Sequence, residues 1–271
     1  MIKTRIFLLA GLLLSVNIQA QMYWLNNFNL AKQIANSSGR LIVADFWATW
    51  CAPCKVMDEE LWKHPEIQKI AVNFVGVRVN VELEKSLVAQ YKVKNIPRLV
   101  IISSTGDIIW QKDGYDDAES FLAVLREIPV DAGEINRKFQ ALAKDRKDIQ
   151  SNYAVGIELQ RRGREIKNTD LKNSFLSSSG TFLAKARQLS SDATLTEEID
   201  LYSILNDVYA GKAQNALDKI ALLDSVPLNE DLAELRHYVL AMCYKNTDKR
   251  DNFELEKAMV RRKEYLDQID K

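Results

Sequence analysis

Cysteine is scarce in this 271-residue chain, which has only Cys51, Cys54 and Cys243. Three cysteines cannot build the dense cystine framework that holds small secreted domains together. Histidine is scarcer still, with His64 and His237 alone, so a four-ligand zinc site would have to recruit nearly every soft ligand in the chain. Neither sign of charge is in surplus: 37 Lys+Arg stand against 37 Asp+Glu. The basic footprint needed for nucleic-acid or anionic-membrane binding is therefore missing. Proline is thin as well, and only Pro227 follows Pro129. Beyond residue 20 no apolar run reaches the length of a membrane span.

What is present is ordinary for a globular chain, with 47% hydrophobic and 27% charged residues. The length suits two domains with a sizeable core and no need of a staple. The first residues depart from this average. Lys3 and Arg5 precede an apolar run, Ile6 to Val16, and Ala20 closes the segment. That pattern reads as a signal peptide over residues 1–20, with a retained N-terminal anchor as the alternative. No Cys sits at the junction, which argues against a lipoprotein. The expectation is an exported protein, with the periplasm as its compartment.

The next hundred residues alternate in character. Residues 22–36 carry Trp24, Phe28, Ala31, Ile34 and Ala35 at helical spacing. Leu41 to Trp47 is a short apolar run broken only by Asp45, which reads as a buried strand. A helix is expected from Cys54 to Trp62, ended or kinked by His64-Pro65. Phe74 to Val81 forms a second strand, Leu83 to Tyr91 a helix, and Leu99 to Ile102 a third strand. Ser104 to Asp107 makes a turn into a hairpin partner, Ile108 to Gln111, and Asp116 and Asp117 open a helix running to about Ile128. The order describes a central mixed sheet flanked by helices. After Pro129 apolar residues recur at three and four, as in Leu201, Ile204, Leu205 and Val208, which marks amphipathic helices. Gly163, Gly180, Gly211, Pro227 and Asn246 to Asp248 read as breakers between them. Helical hairpins of this kind resemble tetratricopeptide units without showing a clean period. The chain thus divides into residues 1–20, 21–129 and an all-α part, 130–271, joined at Pro129 and expected to be separable by proteolysis.

The segment Trp47 to Lys55 carries the chemistry. Two thiols three positions apart at a helix start can reach one another, and the free helix N–H groups favour a thiolate at the first. Pro53 lacks an N–H and suits the first turn. Cys51 is then a nucleophile, and Cys54 a resolving thiol. Three other readings of the pair can be weighed. Zinc needs two further ligands, and no second pair exists. Haem attachment needs a His where Lys55 stands. A structural disulfide closing so short a loop gains little. Cys243, beside Val239 and Met242 on an apolar helix face, reads as buried and inert.

Here the residues reach a resemblance. Leu41 to Lys55 is similar to the active-site strand and turn of thioredoxins, and Ile96-Pro97 to their cis-proline element. Gly106 in a hairpin and the closing helix to Ile128 continue the pattern, over about residues 25–128. Met57 to Glu60 with His64 to Ile67 also resembles the C-terminal domain of the membrane thiol:disulfide interchange proteins. The resemblance implies an α/β thioredoxin-like fold followed by the helical domain. It implies a redox-active Cys51–Cys54 disulfide with no metal and no cofactor. It gives Asp45 the role of the buried proton carrier for Cys54, and Pro97 that of the cis-proline in the substrate groove, with Trp50, Ala52, Pro53 and Ile96 around it. Arg78 falls where a Lys often stands near that Asp, or else is a solvated strand residue. Arg98, where Thr is usual, is expected to place a charge on the rim of the groove.

The function implied is an exported thiol–disulfide oxidoreductase, a protein-disulfide reductase. The alternatives are a thioredoxin-fold adaptor or an isomerase whose helical domain binds a partner protein. The expected partners are disulfide-containing client proteins and a thiol electron donor of the membrane thiol:disulfide interchange type, with no nucleic acid. Intact mass of the protein from its host should begin at Gln21; a full-length cytosolic product would contradict export.

Overall fold

Seven consecutive residues, Leu41–Trp47, form the strand on which the first half is organised, and the first six are buried. A strand apolar on both faces belongs in the middle of a sheet, and that is where it lies. The computed structural model describes residues 23–223 and 229–271; the expected signal peptide and Pro227 lie outside them. The elements of the first half are β1 (Trp24–Leu25), α1 (Phe28–Ser38), β2 (Leu41–Trp47), α2 (Ala52–Met57), α3 (Pro65–Ile70), β3 (Phe74–Asn80), α4 (Lys85–Gln90), β4 (Arg98–Ile102), β5 (Ile108–Asp113) and α5 (Ala118–Leu125). A π-helical turn, Asp58–Trp62, continues α2. The sheet order is β1-β3-β2-β4-β5. Strand β2 runs parallel to β3 and antiparallel to β4. The two-residue strand β1 was expected as part of the first helix; it pairs with β3 instead, Trp24 opposite Gly76.

Local signals end the elements where side chains can satisfy the backbone. The Asn27 side chain accepts from Leu30 N–H at the start of α1, and Gly39, at φ 65°, closes it in the left-handed region. Asp117 caps α5 by accepting from Ser120 N–H.

The second half is helical among the described residues: α6 (Gly133–Lys144), α7 (Ile149–Gly163), α8 (Thr169–Leu189), α9 (Ala193–Tyr209), α10 (Ala213–Ile220), α11 (Glu230–Lys245), α12 (Arg250–Ala258) and α13 (Lys263–Ile269). Gly180, read as a breaker, lies inside α8. Gly156 has the stronger packing role. A Cβ there would come within 2.7 Å of Leu183 Cγ, so glycine lets α7 and α8 approach closely. Cys243 is fully buried in the core of the last helices, and burial pushes its thiol up to about 12.

The expected separability at Pro129 is not what the structure shows. The architecture changes there, but the core does not break. One apolar cluster runs from Val43, Met57 and Leu61 through Phe121 and Leu125 to Ile135, Phe139, Leu159 and Phe175. Polar bolts cross the same boundary. Buried Asn136 donates to the carbonyls of Ala35 and Arg40, at 3.2 and 2.9 Å, and accepts from Ser104 N–H at 2.9 Å. The Trp110 indole donates to Asp170 at 2.9 Å, and the Glu127 carboxylate accepts from the N–H groups of Lys167 and Asn168. Helical periodicity shows that α6 is amphipathic but not what covers its apolar face; the sheet side of the first half covers it.

All five Trp lie at or before Trp110, so their fluorescence reports unfolding of the first half. Phe139→Ala, in the second half, should lower that stability by about 3–5 kcal/mol, the usual cost of emptying a buried aromatic site. An unchanged denaturation midpoint would mean that the halves fold independently.

Candidate active site

Strand β2 and helix α2 are joined by a tight connection, Ala48 to Cys51, and this places both cysteines just past the C-terminal end of the central strand. Cys51 is the cap residue of α2, and Pro53 fills its first turn, where a missing N–H costs nothing. The sulfurs of Cys51 and Cys54 are bonded, with the Cα atoms 5.3 Å apart. The Cys54 N–H donates to Cys51 Sγ at 3.1 Å. An N–H at a helix start is a donor suited to a sulfur at that cap position. Exposure does not distinguish the two sulfurs, since Cys51 is 2% and Cys54 1% exposed. Cys51 alone stands as the cap of the helix.

The surrounding groove residues gather as expected in part. Ile96 and Trp47 pack against the cluster of Ala48, Cys51 and Cys54. The Ile96-Pro97 peptide is cis, and Pro97 is buried. Trp50 stands beside Cys51 and is 65% exposed, while Ala52 and Pro53 are exposed on the outer side of α2. Arg98 corrects its expectation. It is 7% exposed and does not place a free charge on the groove rim. Its guanidinium is held by Asp113 at 2.7 Å, Gln111 at 2.6 Å and the Tyr91 carbonyl at 3.3 Å. Alternation along β4 puts it on the sheet face of Val100 and Tyr91, where Asp113 of the neighbouring strand β5 neutralises it.

Asp45 is fully buried, on the face of β2 that lies between Val43 and Trp47. Val43 belongs to the cluster of Met57, Leu61 and Trp62, and Trp47 to that of the cysteines. The carboxyl therefore sits on the sheet face covered by α2. Neither oxygen accepts a hydrogen bond of ordinary geometry among the described residues. Its charged neighbour is Arg78, directly opposite in the β2–β3 ladder, with Nη2 at 3.3 Å from Oδ2. The same Nη2 lies closer, at 2.7 Å, to Asp58 on the π-helical turn. Burial raises the Asp45 pKa from 3.8 to about 7; Arg78 pulls it down and Asp58 pushes it up.

Arg78 is thus a partner of the buried carboxyl and not a solvated strand residue. The rings of Trp24 and Trp47 flank its guanidinium, at 5.6 and 4.7 Å. Sequence reasoning missed Asp58 and Trp24. Asp58 follows Cys54 by four positions, one helical turn, and that spacing was an available signal. Trp24 comes from the short strand β1 and left none.

A thioredoxin-like domain family matches residues 28–129. A thioredoxin of Mycoplasma genitalium is 34% identical over 71 residues, covering 25% of this chain and 64% of that one. Thioredoxin 1 of Chlorobaculum tepidum is 32% identical over 77 residues, covering 27% and 69%. A thioredoxin of Staphylococcus aureus is 30% identical over 87 residues, covering 31% and 77%. The chain belongs to the thioredoxin-like family. It spans less than two thirds of the length of the Mycoplasma relative, at 64%, and the match to the family ends at residue 129. The helical second half therefore stands as an addition to the thioredoxin-like part.

The buried carboxyl gives a pH test with a definite sign. The folded state keeps the Asp45 proton up to about pH 7, while the unfolded chain loses it near 3.8. Stability should therefore fall as pH rises between those values and then level off, by about 4 kcal/mol in all. In the oxidised protein Asp45→Asn should be more stable than the parent at pH 8, with the gap closing towards pH 4 in urea denaturation. A gap that does not change with pH would show that the carboxyl is not titrating there.

Proposed function

We propose that this protein is an exported thiol–disulfide oxidoreductase that reduces disulfides in client proteins. The observation that carries the reading is the Cys51–Cys54 disulfide capping α2, set on the sheet face that also buries Asp45 with only a shared Arg78 to offset its charge. A structural cystine has no use for a poorly compensated carboxyl, whose burial is costly. A dithiol that must gain and lose protons does.

The reduced Cys51 thiolate attacks one sulfur of a client disulfide, forming a mixed disulfide and releasing the other client sulfur as a thiolate. Cys54 gives its proton to the Asp45 carboxylate and attacks the Cys51 sulfur. The client leaves with both sulfurs reduced, and Cys51–Cys54 is left oxidised. A pKa near neutrality lets Asp45 take and return that proton at working pH. Pro97, at the cis bond beside the disulfide, has no N–H, and its place next to Ile96 suits a groove that receives extended client backbone. A thiol donor of the membrane thiol:disulfide interchange type would return two electrons to the pair. The Lys3 to Ala20 segment supports work in the periplasm, where such donors deliver electrons.

Substitution of each cysteine tests the assignment. Cys54→Ala should accumulate mixed disulfides with clients through Cys51 on non-reducing gels, because attack survives and resolution is lost. Cys51→Ala should lose both turnover and trapping, and Cys243→Ala should change neither. Trapping by Cys51→Ala and none by Cys54→Ala would reverse the roles. Insulin reduction at the parent rate by every variant would remove the pair from the chemistry.

A further inference from the structure

A cavity of about 610 Å³ opens in the helical half, between α7, α9, α11 and α13, within the range of small-ligand sites. Its wall is apolar and aromatic, made by Ile157, Leu205 and the rings of Tyr202, Tyr238 and Tyr265. Tyr238 and Tyr265 stack, with centroids 4.4 Å apart and planes 8° from parallel. The hydroxyls are linked in pairs, Tyr209 to Tyr238 at 2.7 Å and Tyr202 to Tyr265 at 3.4 Å. Burial holds the phenols of Tyr202, Tyr209 and Tyr238 well above their usual range, so they stay neutral.

Arg164, just past the end of α7, faces this wall. Its charge acts on the Tyr209 and Tyr238 hydroxyls. Two other charges of the lining are committed: Arg161 to Glu158 at 2.7 Å, and Asp270 to Lys257 at 2.5 Å. Arg164 forms no ion pair among the described residues; the Tyr209 hydroxyl is its hydrogen-bonding neighbour, and its Nε is buried without a partner. At the mouth, exposed Glu264 and Asp267 lie one helical turn apart on α13, and Lys271 is exposed beside them.

We propose that this cavity binds a carboxylate carried on an apolar body, the chemistry of a peptide's C-terminal residue. Arg164 takes the carboxylate through its planar fork, which matches two oxygens at once. The tyrosine rings and Ile157 take the apolar part. The acids at the mouth disfavour a polyanion and suit a basic residue next to the terminal one. The site lies wholly in the helical half and does not depend on the redox reading of Cys51 and Cys54.

The test uses the full chain and fluorescein-labelled Gly-Ala-Lys-Leu with a free carboxylate, read by anisotropy. The parent should bind it saturably, and the C-terminal amide should bind about tenfold more weakly or worse, as loss of a charge-assisted contact implies. Arg164→Gln should weaken the acid to the level of the amide, Arg164→Lys should keep part of the difference, and both should reduce insulin as the parent does. Displacement by N-acetyl-leucine would identify the lone terminal residue as sufficient; its failure to displace would show that the peptide backbone is also bound. Equal binding of acid and amide by the parent would overturn the proposal whether or not the variants fold. So would unchanged binding by Arg164→Gln, or no saturable binding of any probe.

Discussion

A carboxyl removed from water must find a partner, change its protonation or destabilise the fold. Asp45 has only part of a partner, and much of the site follows from that. The parallel register of β2 and β3 puts Arg78 opposite it, but Asp58 holds the guanidinium more closely, at 2.7 Å against 3.3 Å. A fully shared Arg would fix Asp45 as a carboxylate, and no Arg would fix it as an acid. The divided Arg leaves the group able to change state near neutral pH. Trp24 and Trp47 close over the guanidinium and limit its reach, so a strand of two residues, β1, helps set the electrostatics of the active site.

The second constraint is the shared core. The sheet face under α2 and α5 continues directly into α6, α7 and α8. The helical half is therefore part of what keeps the active-site half rigid, and Asn136 is the clearest single link because one side chain serves three backbone groups of the other half. A separate core of the last helices begins only around Leu201. The proposed carboxylate site lies between α7 and the helices of that outer part, where a ligand can bind without disturbing the sheet.

Much of this was legible in the sequence. Strands β2 and β3 announced themselves as apolar runs, and Cys51, Cys54, Asp45 and Pro97 fell where spacing and family likeness put them. The unread parts share a physical cause: they depend on partners distant in the chain. Arg78 could be solvated or paired until β3 was placed beside β2. Arg98 looked like a rim charge until β5 supplied Asp113 and Gln111. Gly180 looked like a break because nothing in a helical pattern says whether glycine ends a helix or lies within one. The boundary at Pro129 marked a change of secondary structure, which periodicity reveals, and not a division of the core, which it does not.

The proposed chemistry requires Asp45 to exchange a proton near neutral pH on the sheet face covered by α2. Selective ¹³C labelling of aspartate and NMR titration of the Asp45 carboxyl carbon in the oxidised protein measures this directly. The expected midpoint is about 7, moving lower in Asp58→Asn as Arg78 is released towards Asp45. A midpoint near 4, the ordinary value for an aspartate in water, would contradict the account and leave Asp45 without its part in the chemistry.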